Sequence, residues 1–268
     1  MHPLIAAILG LVEGLTEYLP VSSTGHLILA SRMLGLEGDG ADAFDVVIQL
    51  GAILAVVVHY RQLLWKRASG LGKKDPASVQ LLVALIVGFA PTAIAGLLLR
   101  KTIKRLLFGP WPVAAALIAG GIVMIVVELV RAKKQITGEV GLEHVTPKRA
   151  LLIGLGQCVS MWPGSSRSMC TIVAGQLTGL STATAAEFSF LLGLPTLGAA
   201  TLYEAYKSRA ELAQLGMLNV AIGLVVSFFV AWAVVAWFIG FLQRRGLFSF
   251  GVYRIFVGLV VFLVLVRG

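Results

Sequence analysis

Glu13-Gly14-Leu15-Thr16-Glu17-Tyr18-Leu19-Pro20-Val21-Ser22-Ser23-Thr24-Gly25-His26 is the stretch whose reading decides the fold. It sets two acids, two serines, two threonines and a histidine into sequence that is otherwise almost entirely apolar. The apolar run before it, Leu4 to Val12, is too short to cross a bilayer, which takes roughly 20 residues of helix. Apolar character resumes from Leu27 to Leu36. Pro20 ends one helix and the serines after it begin another. The expectation is two half-helices forming a re-entrant hairpin. Irregular backbone at membrane depth is tolerated only where it is buried in protein or lines a wet cavity. A second polar stretch answers the first: Trp162-Pro163-Gly164-Ser165-Ser166-Arg167-Ser168-Met169-Cys170-Thr171. Ala150 to Val159 before it is again a short apolar run.

Composition agrees with a membrane setting. The 268 residues are 58% hydrophobic and 13% charged, against roughly 25% charged in a soluble chain. An all-α integral membrane protein is expected. The net charge of +9 would suggest nucleic acid in a soluble protein. Here the basic residues sit in short loops between apolar runs, where they set topology and meet anionic lipid, so no nucleic-acid partner is expected. Cys158 and Cys170 lack metal-site spacing and read as small packed residues. The N-terminus lacks a basic segment and meets Glu13 early, so a cleaved signal peptide is not expected.

Six full spans are predicted, near 43–60, 79–99, 111–130, 184–203, 215–241 and 248–266, each near the ~20-residue requirement. The pattern restarts halfway. Pro20-Val21-Ser22-Ser23 matches Pro163-Gly164-Ser165-Ser166 at an offset of 143, and Leu107-Phe108 matches Leu247-Phe248 at 140. One membrane domain is expected, with repeat one about 1–135 and repeat two about 145–268. Each repeat is a hairpin plus three spans, and the odd number of crossings inverts the second half against the first. Inverted repeats with broken helices place a site at the repeat interface. Lys and Arg are more numerous in the loops at 61–74, 131–149 and 244–245 than in those at 100–105 and 207–209 with Arg32 and Arg267. The first set is therefore cytoplasmic and both termini lie outside.

Glu13 and Glu17, spaced i, i+4, share a helix face. Carboxylates that close repel, so one is protonated or a cation such as Mg²⁺ or Ca²⁺ lies between them. Ser22 or Ser23 caps the following helix, and His26 lies one turn beyond, within helical reach of either hydroxyl. A hydroxyl beside a base is the arrangement of an activated nucleophile. Attack by water with Glu17 or His26 as base is the alternative. Gly164, Ser165, Ser166, Arg167, Ser168 and Thr171 begin a helix with free N–H groups, hydroxyls and a guanidinium, a phosphate-binding set to which Thr24 adds a hydroxyl. Arg167 is also expected to pair with Glu13 or Glu17. Asp45, Gln49 and Glu187 are candidates for the cavity wall. This inventory suits phosphoryl transfer. A transporter or flippase built on the same inverted repeats is the competing reading, since fold does not settle function.

The stretches at 13–26 and 163–171 resemble the two signature motifs of the bacterial undecaprenyl-diphosphate phosphatases, the bacitracin-resistance proteins. The resemblance runs along the whole chain, through Phe44–Ala52 and Ala186–Leu192. Met169-Cys170 departs from it, where smaller residues are usual, which bears on local packing. The resemblance implies hydrolysis of the C55 isoprenoid diphosphate to its monophosphate, recycling the lipid carrier of peptidoglycan synthesis. It also implies a divalent cation and a periplasm-facing site in the bacterial inner membrane. Glu13, Glu17, Ser22, Ser23, His26 and Arg167 match the family's functional positions, supported by Ser166, Ser168 and Thr171. The expected partners are the lipid substrate and the bilayer; bacitracin competes for that substrate rather than binding the protein. A homodimer is left open.

Overall fold

The computed structural model describes residues 1–36, 38–107 and 109–266. Glu37, Phe108 and Arg267 lie outside the described residues, as do the side chains of Asp39, Arg100, Lys101 and Lys104. The described residues form twelve α-helices: α1 (Pro3–Thr16), α2 (Ser23–Met33), α3 (Asp39–His59), α4 (Arg61–Gly72), α5 (Pro76–Leu107), α6 (Pro110–Lys133), α7 (Pro147–Cys158), α8 (Arg167–Leu177), α9 (Thr182–Lys207), α10 (Arg209–Leu215), α11 (Met217–Leu242) and α12 (Phe248–Val261). Among the described residues the only β pairing is an isolated bridge between Glu139 and Leu180.

Among the described residues five helices are long and apolar enough to cross a membrane: α3, α5, α6, α9 and α11. Exposed leucines such as Leu97 and Leu98 on α5 fit lipid contact. This is the architecture of a multi-pass membrane protein. The expected sixth span forms a 14-residue α-helix, α12, which passes into a π-turn at Phe262–Val266. At 1.5 Å per residue, 14 residues reach only about 21 Å. Three segments expected as basic loops are helical instead: α4, α10 and residues 100–105, over which α5 continues to Leu107. Arg61–Gly72 holds no proline and is rich in helix formers. Its Leu63 and Leu64 pack on the core while Trp65 is exposed, the habit of a helix lying along an interface.

The first helix, α1, packs on α11, which also packs on α3. The helix α7 packs on α5, and α6 packs on α12. Small residues permit the close approaches, as at membrane helix contacts generally. A Cβ on Gly10 would come within 2.6 Å of the Gly223 carbonyl oxygen, and one on Gly154 would collide with that of Gly88. The largest buried cluster is centred on Tyr18, Phe188, Phe190 and Phe238, with Phe190 edge-on to Tyr18. It lies beside the polar groups described next.

Candidate active site

The two polar stretches fold alike. In the first, α1 ends at Thr16, Glu17 continues the turn, and Ser22 caps α2. In the second, α7 ends at Cys158, a 3₁₀ turn covers Val159–Met161, and Ser166 caps α8. Ser22 and Ser166 both have positive φ, 73° and 70°. L-residues there are strained by roughly 1–2 kcal/mol. Each serine hydroxyl accepts a hydrogen bond from the backbone N–H three residues on, Gly25 at 3.4 Å and Met169 at 3.3 Å. The caps are 144 residues apart (Ser22 to Ser166), one more than the sequence match suggested, because the second turn holds an extra residue after its proline. Ser23 and Arg167 therefore take the same place, the first residue of their helices.

Those two residues meet through Glu17. The Ser23 hydroxyl donates to Glu17 Oε2 at 2.7 Å. Arg167 Nη2 donates to Glu17 Oε1 at 3.0 Å. Glu17 is 6% exposed and Arg167 is 8%, so this ion pair is shielded from water. Arg167 Nη1 donates to the Ser189 carbonyl at 2.9 Å and to its hydroxyl at 3.1 Å. Ser189 lies 2.6 Å from the Thr171 hydroxyl, which donates back to the Arg167 carbonyl at 2.8 Å. The guanidinium lies 5.4 Å from the Tyr18 ring centre, within cation–π range. Gly193 leaves it room: a Cβ there would stand 3.1 Å from Arg167 Cζ.

Glu13 is fully buried, and neither carboxylate oxygen has a hydrogen-bond partner. It lies within electrostatic range of Glu17, Asp45 and Arg167. Ser168 donates to the Leu19 carbonyl at 2.9 Å and lies 3.0 Å from the Ser166 hydroxyl, tying the second turn to the first. Thr24 follows Ser23 in the first turn of α2, and Ser165 is buried in the second turn. His26 engages the Ser22 carbonyl at 2.8 Å rather than either serine hydroxyl. Asp45 lies 3.5 Å from the Ser31 hydroxyl, and Gln49 accepts from Thr201 at 3.4 Å. Glu187 interacts with Tyr60 and Glu143 and makes no direct contact with the Ser23–Glu17–Arg167 chain.

A family model described as bacitracin resistance protein BacA matches residues 6–260. The chain belongs to the BacA family. Among curated BacA-like relatives, an undecaprenyl-diphosphatase of Sorangium cellulosum is 54% identical over 258 residues, 96% of this chain and 84% of that protein. One of Sphingopyxis alaskensis is 47% identical over 259 residues, covering 96% of both chains. One of Deinococcus radiodurans is 44% identical over 272 residues, covering 100% of this chain and 97% of that protein.

This BacA-family site also uses residues that sequence reasoning missed. Arg254 on α12 is fully buried. It donates to the carbonyls of Pro20 at 3.1 Å and Gly164 at 2.8 Å, one in each turn, and to Ala116 at 3.1 Å on α6. Gly164 itself needs φ +94°, and a Cβ there would lie 2.6 Å from the Val113 carbonyl oxygen. Trp162 adds a hydrogen bond to the Pro112 carbonyl at 3.0 Å. The signal for Arg254 was present: an arginine in the middle of an apolar run marks a functional or structural centre by default. Ser189 and Tyr253 carried no such signal, because serine and tyrosine are common in membrane helices.

Proposed function

We propose that this chain is a membrane undecaprenyl-diphosphate phosphatase, cleaving the anhydride bond to release inorganic phosphate and leave the lipid monophosphate. In the cell that reaction recycles the lipid carrier for peptidoglycan synthesis and gives resistance to bacitracin, which sequesters the same substrate. The observation that carries the reading is the buried chain Ser23–Glu17–Arg167, at 2.7 and 3.0 Å, joining residues 150 positions apart. A nucleophile, its proton acceptor and an anion-binding guanidinium are the groups that phosphoryl transfer requires.

Ser23 Oγ attacks the terminal phosphorus and passes its proton to Glu17 Oε2. The bond from that phosphorus to the bridging oxygen breaks, and the lipid monophosphate leaves. Arg167 turns from Glu17 to the phosphoryl oxygens, where its planar fork balances the charge that spreads over them. Water then hydrolyses the phosphoserine. Ser22 is the less suited hydroxyl, since it is held in capping α2. If phosphoserine cannot be trapped, direct attack by water activated by Glu17 replaces this route. Glu13 and Glu17 are the residues that would hold a divalent cation. Glu13 fits that role, because both its buried oxygens are unpartnered. When bound, the cation would neutralise diphosphate charge. No group of three His, Cys, Asp or Glu side chains clusters among the described residues, so substrate oxygens and water would complete a Mg²⁺ or Ca²⁺ shell.

The finer architecture is part of the same proposal. The chain is one domain of two inverted repeats, about 1–135 and 145–268, with residues 3–33 and 147–177 as re-entrant hairpins. The exchange of partners supports this, α1 on α11 answered by α7 on α5, as do the paired positive-φ serine caps. The site faces the periplasm, as do both termini. Phosphate release from undecaprenyl diphosphate by detergent-purified protein, with and without chelator, tests the function. Turnover that requires two compartments would instead favour a transporter.

A further inference from the structure

His26 is the fourth residue of α2 (Ser23–Met33). Its Nδ1 lies 2.8 Å from the Ser22 carbonyl oxygen, and its Nε2 lies 2.8 Å from the Tyr253 hydroxyl. These partners are not interchangeable. A carbonyl oxygen can only accept, so Nδ1 carries a proton. In the neutral imidazole Nε2 is then an acceptor, and the Tyr253 hydroxyl must donate to it. The two rings lie parallel within 8°, centres 5.6 Å apart, which holds the imidazole in one plane. Tyr253 is itself well anchored, because Arg254, the next residue, is fully buried and bonded to both hairpin turns.

We infer that Tyr253 is a positioning residue for the reaction, holding His26 in the Nδ1–H tautomer by engaging its Nε2 lone pair. The inference rests on the phosphatase reading, in which His26 serves the diphosphate head group. Ser22 orients one nitrogen and Tyr253 the other, so the first hairpin and α12 together determine which nitrogen can take up a proton. The same contact links the second repeat's last helix to the chemistry of the first.

The test compares wild type, Tyr253→Phe, His26→Gln and the double variant for undecaprenyl-diphosphate turnover in detergent. It adds ¹⁵N NMR of histidine-labelled protein, with the His26 signals identified by their loss in His26→Gln. Tyr253→Phe should lower kcat by roughly threefold to tenfold, the size of one lost hydrogen bond, with KM changed less than about twofold on the same scale. It should cause no further loss in the His26→Gln background. Wild-type His26 should show a protonated Nδ1 and an unprotonated Nε2, and Tyr253→Phe should move the Nε2 resonance to higher frequency. An Nε2–H tautomer in the wild-type protein would overturn the assignment whether or not the variant folds. So would additive losses in the double variant. An impaired His26→Gln beside an unimpaired Tyr253→Phe overturns the Tyr253 assignment alone. A fully active His26→Gln overturns both it and the place of His26 in the site.

Discussion

Removing Arg167 would strand Glu17. The pair is buried, and breaking a buried pair by deleting one partner costs about 3–5 kcal/mol. Arg167→Ala should lower thermal stability in detergent and reduce phosphate release by on the order of a thousandfold, the scale of an arginine at a transferring phosphoryl group. Arg167→Lys should restore folding better than turnover, because a point charge cannot span Glu17 and phosphate oxygens as a planar fork does. The two serines should separate cleanly. Ser23→Ala should abolish turnover with little change in stability. Ser22→Gly should keep it, since glycine accepts the positive φ that strains serine there. Loss of activity in Ser22→Gly with full activity in Ser23→Ala would reverse the assignment of the nucleophile. Gly193→Ala should impair turnover by pressing a methyl group on the guanidinium. A kinetic scan of these variants, with melting temperatures alongside, distinguishes chemistry from folding.

Among the elements, α12 has the most unexpected role. Of the helices that fill the predicted spans it is the shortest, yet Arg254 reaches from it into both polar turns. Arg254→Met should leave the Pro20 and Gly164 carbonyls buried without their donor. Each unmet group costs about 1–3 kcal/mol, so a large fall in melting temperature and loss of turnover are expected together. Helix starts give a gentler test. Asp75 precedes α5 and accepts from Ser78 Oγ at 2.6 Å and from Ser78 N at 2.9 Å. Those hydrogen bonds, the side-chain one first, hold its carboxyl below the usual range, with Arg67 at 3.5 Å helping. A lowered folded-state pKa stabilises above the unfolded value, near 3.9, and that stability is lost as pH falls through the folded value. Asp75→Asn should therefore melt below wild type at neutral pH and converge with it in acid. The breaks between α1 and α2 and between α7 and α8 show how far elements could be read from the residues. They followed from short apolar runs ending near Pro20 and Pro163. The start of α8 at Arg167 did not, because one extra residue in a turn leaves no mark on hydrophobic periodicity.

For the whole molecule, the proposed inverted arrangement makes a prediction about sidedness. In a background lacking Cys158 and Cys170, a cysteine at Ala68 on α4 should react with a membrane-impermeant thiol reagent only from the cytoplasm. One at Ala210 on α10 should react only from the periplasm. Labelling of both from one side would remove the inverted topology while leaving the site intact.

The residues alone determined the solvent, the helical class and the chemical inventory. Apolar runs of bilayer length admit only helices or closed barrels, and acids, hydroxyls and an arginine stand out where polar groups are costly. Tertiary structure decided which of these groups touch. That Glu17 rather than Glu13 receives Arg167, that Ser23 rather than Ser22 faces the carboxylate, and that His26 turns to Tyr253 all depend on contacts between residues up to 227 positions apart. Helical periodicity orders groups within one or two turns. It says nothing of which side chain a distant helix will bring against them, and in this site distant partners fix Arg167 on Glu17 and His26 on Tyr253.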